Sequence, residues 1–121
     1  MRNRILLVAS FAAVALPLAS CGNGDGDAAD SADGVAVVAT EFEFEPAEVT
    51  IPADTPVDIT LDNQGAVEHD WTIDELDILI YADAGESTTE SITVAAGTYD
   101  VYCTIPGHRE SGMEGVLTVT G

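Results

Sequence analysis

From Val35 to the C-terminus, apolar residues recur at every second position, and that period decides what the chain can fold into. Val49 and Ile51 alternate with Thr50 and Pro52. Val57, Ile59 and Leu61 alternate with Asp58, Thr60 and Asp62. Ile92 and Val94 flank Thr93; Tyr99, Val101 and Cys103 alternate with Asp100 and Tyr102; Leu117 and Val119 alternate with Thr118 and Thr120. Side chains along a strand point to opposite faces, so each run has one face to bury and one to solvate. Turn signals separate the runs: Pro52-Ala53-Asp54, Asn63-Gln64-Gly65, Ala84-Gly85, Ala96-Gly97 and Pro106-Gly107. Many short strands with one buried face predict an all-β single domain over residues 35–121, an antiparallel sandwich or barrel. No segment has a convincing helical period. Asp74 to Ala82 (DELDILIYA) is open between a short helical turn and a strand, because periodicity does not decide between them. There is no internal repeat and no Gly-rich phosphate loop.

The first 34 residues have a different character. Arg2 and Arg4 precede an apolar run from Ile5 to Leu18, broken only by Ser10 and Pro17. The run is short for a bilayer span, and its flanks fit an export signal over residues 1–20. Arg-Asn-Arg is not a paired arginine, which argues against a twin-arginine signal. Leu18-Ala19-Ser20-Cys21 resembles the lipobox of bacterial lipoproteins. That resemblance implies cleavage before Cys21, lipid on its sulfur, and a membrane tether without a spanning helix. Residues 21–34 then contain only Gly, Asn, Asp, Ala and Ser after the cysteine. Such a segment has nothing to bury and is expected to be a disordered acidic spacer.

Charge excludes several function classes. The chain has 22 acids against three bases, a formal charge of −19. Two of the bases lie in the leader, so Arg109 is the only one left after cleavage. Binding to nucleic acid or to anionic lipid by charge needs a basic face, which this chain lacks. The acidity suits steering toward a basic partner, and it equally suits life in high salt, where the Debye length falls to about 3 Å at 1 M and steering disappears.

The segment with chemistry is Tyr102-Cys-Thr-Ile-Pro-Gly-His-Arg-Glu-Ser-Gly-Met113. It sets Cys103, His108 and Met113 on one loop as Cys-x4-His-x4-Met, and His69 stands upstream at the end of a strand. A thiolate, two imidazoles and a thioether are the ligand set of a blue-copper site, a trigonal Cys-His-His plane with a weak axial Met. Thiolate and thioether suit Cu(I), and imidazole suits both oxidation states. Zinc fits less well, because its structural sites want four strong donors and a thioether is a poor fourth. Each residue alone has a plainer explanation: Cys103 as a small buried hydrophobe, Met113 as core filler, His69 as a capping histidine. Lipid on Cys21, however, leaves Cys103 without a disulfide partner, and coordination gives a leftover extracytoplasmic thiol a reason.

With these residues in view, the chain resembles small cupredoxins of the plastocyanin, azurin and halocyanin group. Cys103-Thr-Ile-Pro-Gly-His108 is similar to the azurin-type start of the ligand loop, and the spacing from His108 to Met113 is plastocyanin-like. Phe42-x-Phe44-x-Pro46, Val49-x-Ile51-x-Ala53, Val57, Leu61-x-Asn63 and Val67-Glu-His-Asp70 resemble the N-terminal half of that family. The resemblance spans residues 35–120. It implies a Greek-key β-sandwich, one copper per chain and one-electron transfer. It also implies an apolar patch around His108, built here from Ala66, Val67, Ile105, Pro106 and Gly107, where a redox partner docks. Two departures stand out. The family often has Asn after the first histidine, and here that residue is Asp70. Its backbone N–H can still donate to the Cys103 sulfur, and its side chain can accept from the Thr104 hydroxyl. The stretch from His69 to Cys103 is also short for the family, with the trimming expected between Asp74 and Glu90.

Trp71 shares a face with His69 and Ile73 and is expected to pack in the core. Arg109 is expected to form a surface ion pair with Glu110, Glu68 or Glu114. The resulting expectation is a membrane-tethered, extracytoplasmic electron carrier rather than an enzyme. Its partner would be a c-type cytochrome or a membrane oxidase or reductase. Copper oxidase and nitrite reductase chemistry needs further copper centres, and the chain has only two histidines. A copper delivery or storage lipoprotein would want spare Met or His ligands, and a metal-free interaction module would have no need of four ligands in register.

Overall fold

The computed structural model describes residues 34–121. The export signal at 1–20, Cys21 and nearly all of the acidic spacer lie outside them. Among the described residues, nine strands form two sheets: β1 (Val35–Thr40), β2 (Glu43–Glu45), β3 (Glu48–Pro52), β4 (Val57–Asn63), β5 (His69–Ile73), β6 (Ile78–Ala82), β7 (Ser87–Ile92), β8 (Gly97–Tyr102) and β9 (Glu114–Thr120). The first sheet has the order β2-β1-β4-β7 and the second β3-β9-β8-β5-β6. Alternate residues of both sheets meet in one core. Val37, Ile59 and Leu61 come from the first sheet, and Ile51, Trp71, Ile73, Ile80 and Leu117 from the second, all essentially inaccessible to solvent.

The pairing is not all antiparallel, as the alternation alone had led one to expect. β1 runs parallel to β4, with Val35 opposite Ile59 and Val37 opposite Leu61. β3 runs parallel to β9, with Val49 opposite Leu117 and Ile51 opposite Val119. Both parallel contacts arise because the chain changes sheets after β2 and again after β3. A period of two says which face is buried and nothing about which neighbour a strand takes. β7 also differs from the Ile92–Val94 run: it covers Ser87–Ile92, and only Ile92 of it is buried. As an edge strand on β4 it presents serines, threonines and Glu90 to solvent, so it carries no apolar alternation.

The ambiguous segment resolves into both of its options. Asp74–Leu76 is a single 3-10 turn, closed by Asp77 in a left-handed conformation (φ 54°), and Ile78–Ala82 is β6. β6 pairs with β5 alone, placing Trp71 opposite Ile80 and His69 opposite Ala82. β5 is buried at all five positions. His69, Trp71 and Ile73 point inward, while Asp70 and Thr72 lie on the outer face beside the larger Tyr81, Leu79 and Tyr102 of the flanking strands. The core thus holds the rigid strand that delivers His69, and β8 and β9 hold the two ends of the Cys103–Met113 loop.

Candidate metal centre

His69 is the first residue of β5, and the loop leading into it is anchored at both ends. The buried Asn63 side chain donates to Val67 O (2.9 Å) and Ala82 O (3.0 Å), and its Oδ1 accepts from Gly65 N–H (2.9 Å). Gln64 N–H donates to Ala39 O at 2.9 Å. The other loop leaves β8 at Cys103 and re-enters β9 after Met113. Cys103 N–H donates to Met113 O (3.2 Å), and the His108 carbonyl accepts from both Ser111 N–H (3.0 Å) and Met113 N–H (3.1 Å). A 3-10 turn at Arg109–Ser111 ends on Gly112, whose φ of 103° disfavours other residues. Both ends of the loop are therefore tied to each other through its own backbone.

This geometry brings His69, Cys103 and His108 together, their ligand atoms all within 4.8 Å of one another. His69 Nδ1 lies 3.2 Å from His108 Nδ1, and Cys103 Sγ lies 3.6 Å from His108 Nδ1. Nitrogen and sulfur donors at roughly 2.0–2.3 Å from one ion, subtending about 105–120°, sit roughly 3.2–3.8 Å apart. Both distances to His108 are therefore those of edges of one coordination polyhedron, and the third pair lies within 4.8 Å. Met113 is fully buried and joined to both loop ligands through its backbone. His69 is 0% exposed, Cys103 1% and His108 8%, so His108 is the most exposed of the three.

The surroundings tune these groups. Burial pushes the Cys103 thiol up, partly offset by hydrogen bonds from the backbone N–H groups of Asp70 and Ile105. The Asp70 N–H donates to Cys103 Sγ at 3.4 Å. The Asp70 carboxylate is buried and accepts from Thr104 Oγ1, from Thr104 N–H (2.9 Å) and from Thr72 Oγ1 (2.8 Å). One aspartate thus ties β5 to the ligand loop on the outer side of the sulfur. Thr104 and Pro106 are exposed.

Arg109 takes Glu114, not Glu110 or Glu68, as its partner (2.9 Å), and its guanidinium lies 4.2 Å above the Tyr102 ring. Both members of the pair are about half exposed. Arg109→Ala is expected to leave the thermal unfolding midpoint nearly unchanged, because exposed pairs contribute little. A marked fall would show that the stack on Tyr102 holds the loop.

Two further residues touch the site in ways the sequence does not foretell. Glu41 accepts a hydrogen bond from His69 Nε2 at 3.0 Å, and the His69 bond holds its carboxyl below the usual carboxylate range. Phe42 sets its ring edge against His108, centroids 4.9 Å apart at 63°. Both belong to the run Glu41-Phe-Glu-Phe-Glu45, in which nothing distinguishes Glu41 from Glu43 or Glu45.

The cupredoxin-like domain model matches residues 6–119. The chain belongs to the cupredoxin-like domain family. Among solved cupredoxins it is similar to auracyanin B, at 28% identity and TM-score 0.64, covering 81% of this chain and 94% of that one. It is also similar to auracyanin A of Chloroflexus aurantiacus, described as a "blue" copper protein, at 26% identity and TM-score 0.62, covering 72% and 98%. The copper-containing nitrite reductase of Thermus scotoductus SA-01 shares the cupredoxin fold at 21% identity and TM-score 0.61, with 73% of this chain on 27% of that one. No curated protein matches the sequence at a significant level.

Proposed function

We propose that this cupredoxin is a mononuclear copper protein that carries single electrons outside the cytoplasm, tethered to a membrane through lipid on Cys21. The carrying observation is the convergence of His69 Nδ1, Cys103 Sγ and His108 Nδ1, with Met113 buried at the end of the same loop. Copper held there would supply one-electron exchange between Cu(II) and Cu(I). The protein's own part is to hold the donors on two hydrogen-bonded loops, so that neither oxidation state rearranges them, and to keep water away from all but the His108 edge.

That edge is a docking face. Phe42 (41% exposed) packs on His108, and Val67 (40%), Ala66, Pro106 and Gly107 are exposed, with Ile105 half-buried, so these residues would complete the patch. A small dry contact gives a short path to His108 and quick release. Acids outside the patch, such as Glu68 and Glu110, suit a partner with a basic rim, either a c-type cytochrome or a membrane oxidase or reductase. The relationship to blue-copper proteins and the single cluster of soft and imidazole donors among the described residues support a carrier over an enzyme.

The test is a redox cycle on the full chain loaded with Cu(II). A carrier takes up one electron per chain, keeps its copper in the presence of a Cu(I) chelator, and returns to the starting spectrum on reoxidation. Release of the metal to the chelator on reduction would instead mark a delivery or storage protein. Mass spectrometry of the native membrane fraction is expected to find lipid on an N-terminal Cys21; an unmodified Cys21, or one bonded to Cys103, rejects the tether. Met113→Leu is expected to keep copper and raise the potential, because the thioether stabilises Cu(II) slightly and an aliphatic side chain does not. A lower potential, or loss of the metal, would show that Met113 is not a weak axial ligand.

A further inference from the structure

Glu41 sits in the turn between β1 and β2, and its Oε1 accepts two hydrogen bonds, from His69 Nε2–H at 3.0 Å and from Ala66 N–H at 2.9 Å. The ring of His69 is fully buried, and a buried imidazole can sit in two flipped orientations and two neutral tautomers. Only the observed orientation sets Nδ1 beside His108 Nδ1. Only the Nε2–H tautomer leaves the Nδ1 lone pair free for a metal. A carboxylate on Nε2 selects both at once.

The surrounding backbone leaves room for this contact. A Cβ on Gly65 would overlap Glu41 Oε1 and come within 3.0 Å of His69 Nε2. Gly65 does not occupy a left-handed conformation, so space for the carboxylate is what its missing side chain provides. The next residue, Phe42, packs on His108, so one turn of the first sheet contacts both imidazoles of a site built by the second.

We infer that Glu41 is a positioning residue of the metal centre: through the Nε2–H···Oε1 bond it holds His69 with Nδ1 aimed into the site, and its charge biases bound copper toward Cu(II). The second half rests on the copper reading above, whereas the first holds for the copper-free chain. Glu41→Gln separates the two, because an amide oxygen accepts the same bonds without the charge. Glu41→Ala removes both bond and charge. Gly65→Ala keeps the charge but displaces the carboxylate.

The experiment is nitrogen-15 NMR of the histidines in the full chain, copper-free and Cu(I)-loaded, with core methyl signals as the check on folding. Wild type and Glu41→Gln are expected to show a single Nε2–H tautomer at His69 with a slowly exchanging proton. Glu41→Ala and Gly65→Ala are expected to show mixed tautomers and exchange at least roughly tenfold faster. At a fixed solution potential, Glu41→Gln is expected to raise the Cu(I) to Cu(II) ratio roughly two- to tenfold. An unchanged His69 tautomer and exchange rate in Glu41→Ala would overturn the positioning role. An unchanged ratio in Glu41→Gln would overturn the electrostatic one. A chain that takes up no copper in any variant would defeat the carrier reading, while the copper-free spectra still decide whether Glu41 positions His69.

Discussion

Replacing Cys103 by Ser is expected to abolish the intense visible absorption of the Cu(II)-loaded chain rather than shift it. The band of a blue-copper site comes from charge transfer out of the thiolate, and Cys103 is the one thiol in the cluster. Serine supplies a hard hydroxyl that stays protonated at neutral pH, so both the transition and the strongest soft donor disappear together. The fold itself has no reason to fail. The hydroxyl sits where sulfur now accepts from Asp70 N–H, and the loop is held by backbone bonds that the substitution leaves alone. Titration with Cu(II), followed by absorption and circular dichroism, separates the two effects. An intense band that survives in Cys103→Ser would remove the basis of the copper assignment.

Asp70 is the second position where a large effect is expected, and two substitutions there divide it. Asp70→Ala leaves Thr104 N–H, Thr104 Oγ1 and Thr72 Oγ1 without their acceptor. Thr72 is buried, and an unpaired buried hydroxyl costs about 1–3 kcal/mol. Denaturant unfolding of the copper-free chain should therefore show a loss of at least that order. Asp70→Asn keeps the shape and an acceptor oxygen, so it should unfold nearly as the wild type does. Both should raise the reduction potential. At ~10 Å a unit charge contributes about 0.4–1.7 kcal/mol for effective dielectrics of 80 to 20, which is tens of millivolts. Asp70 is only 2% exposed, so the shift should persist as salt rises. A shift that vanishes in high salt, or a potential that falls, would mean that this carboxylate does not act on the metal through buried space.

What the sequence revealed and what it withheld follow the range of the forces involved. The strands were legible because burying one face of a sheet writes a period of two directly into neighbouring residues, as in Val57, Ile59 and Leu61. The candidate site was legible because Cys103, His108 and Met113 lie within eleven consecutive residues whose chemistry is distinctive, and the structure brings Cys103 and His108 together with His69. The hydrogen bond from Asp70 N–H to sulfur was foreseeable once the two loops were assumed to meet. β7 was misplaced because an edge strand with a solvated outer face needs no apolar code.

Strand order and the roles of Glu41 and Phe42 lay beyond the sequence for a different reason. Parallel pairing of β1 with β4, and of β3 with β9, depends on which sheet each strand joins, a choice made by the whole core at once. Glu41 became a partner of His69 because that choice packs the β1–β2 turn over the metal site, and because Gly65 leaves space for a carboxylate there. An acid among acids acquires a role only when folding brings one of them to an imidazole. By itself the sequence marked His69, Cys103, His108 and Met113 as candidate donors and determined the kind of sheet that holds them. Tertiary structure alone decided which nitrogen of His69 faces the site and which carboxylate braces it. These depend on contacts between residues distant in the chain, and no local pattern records them.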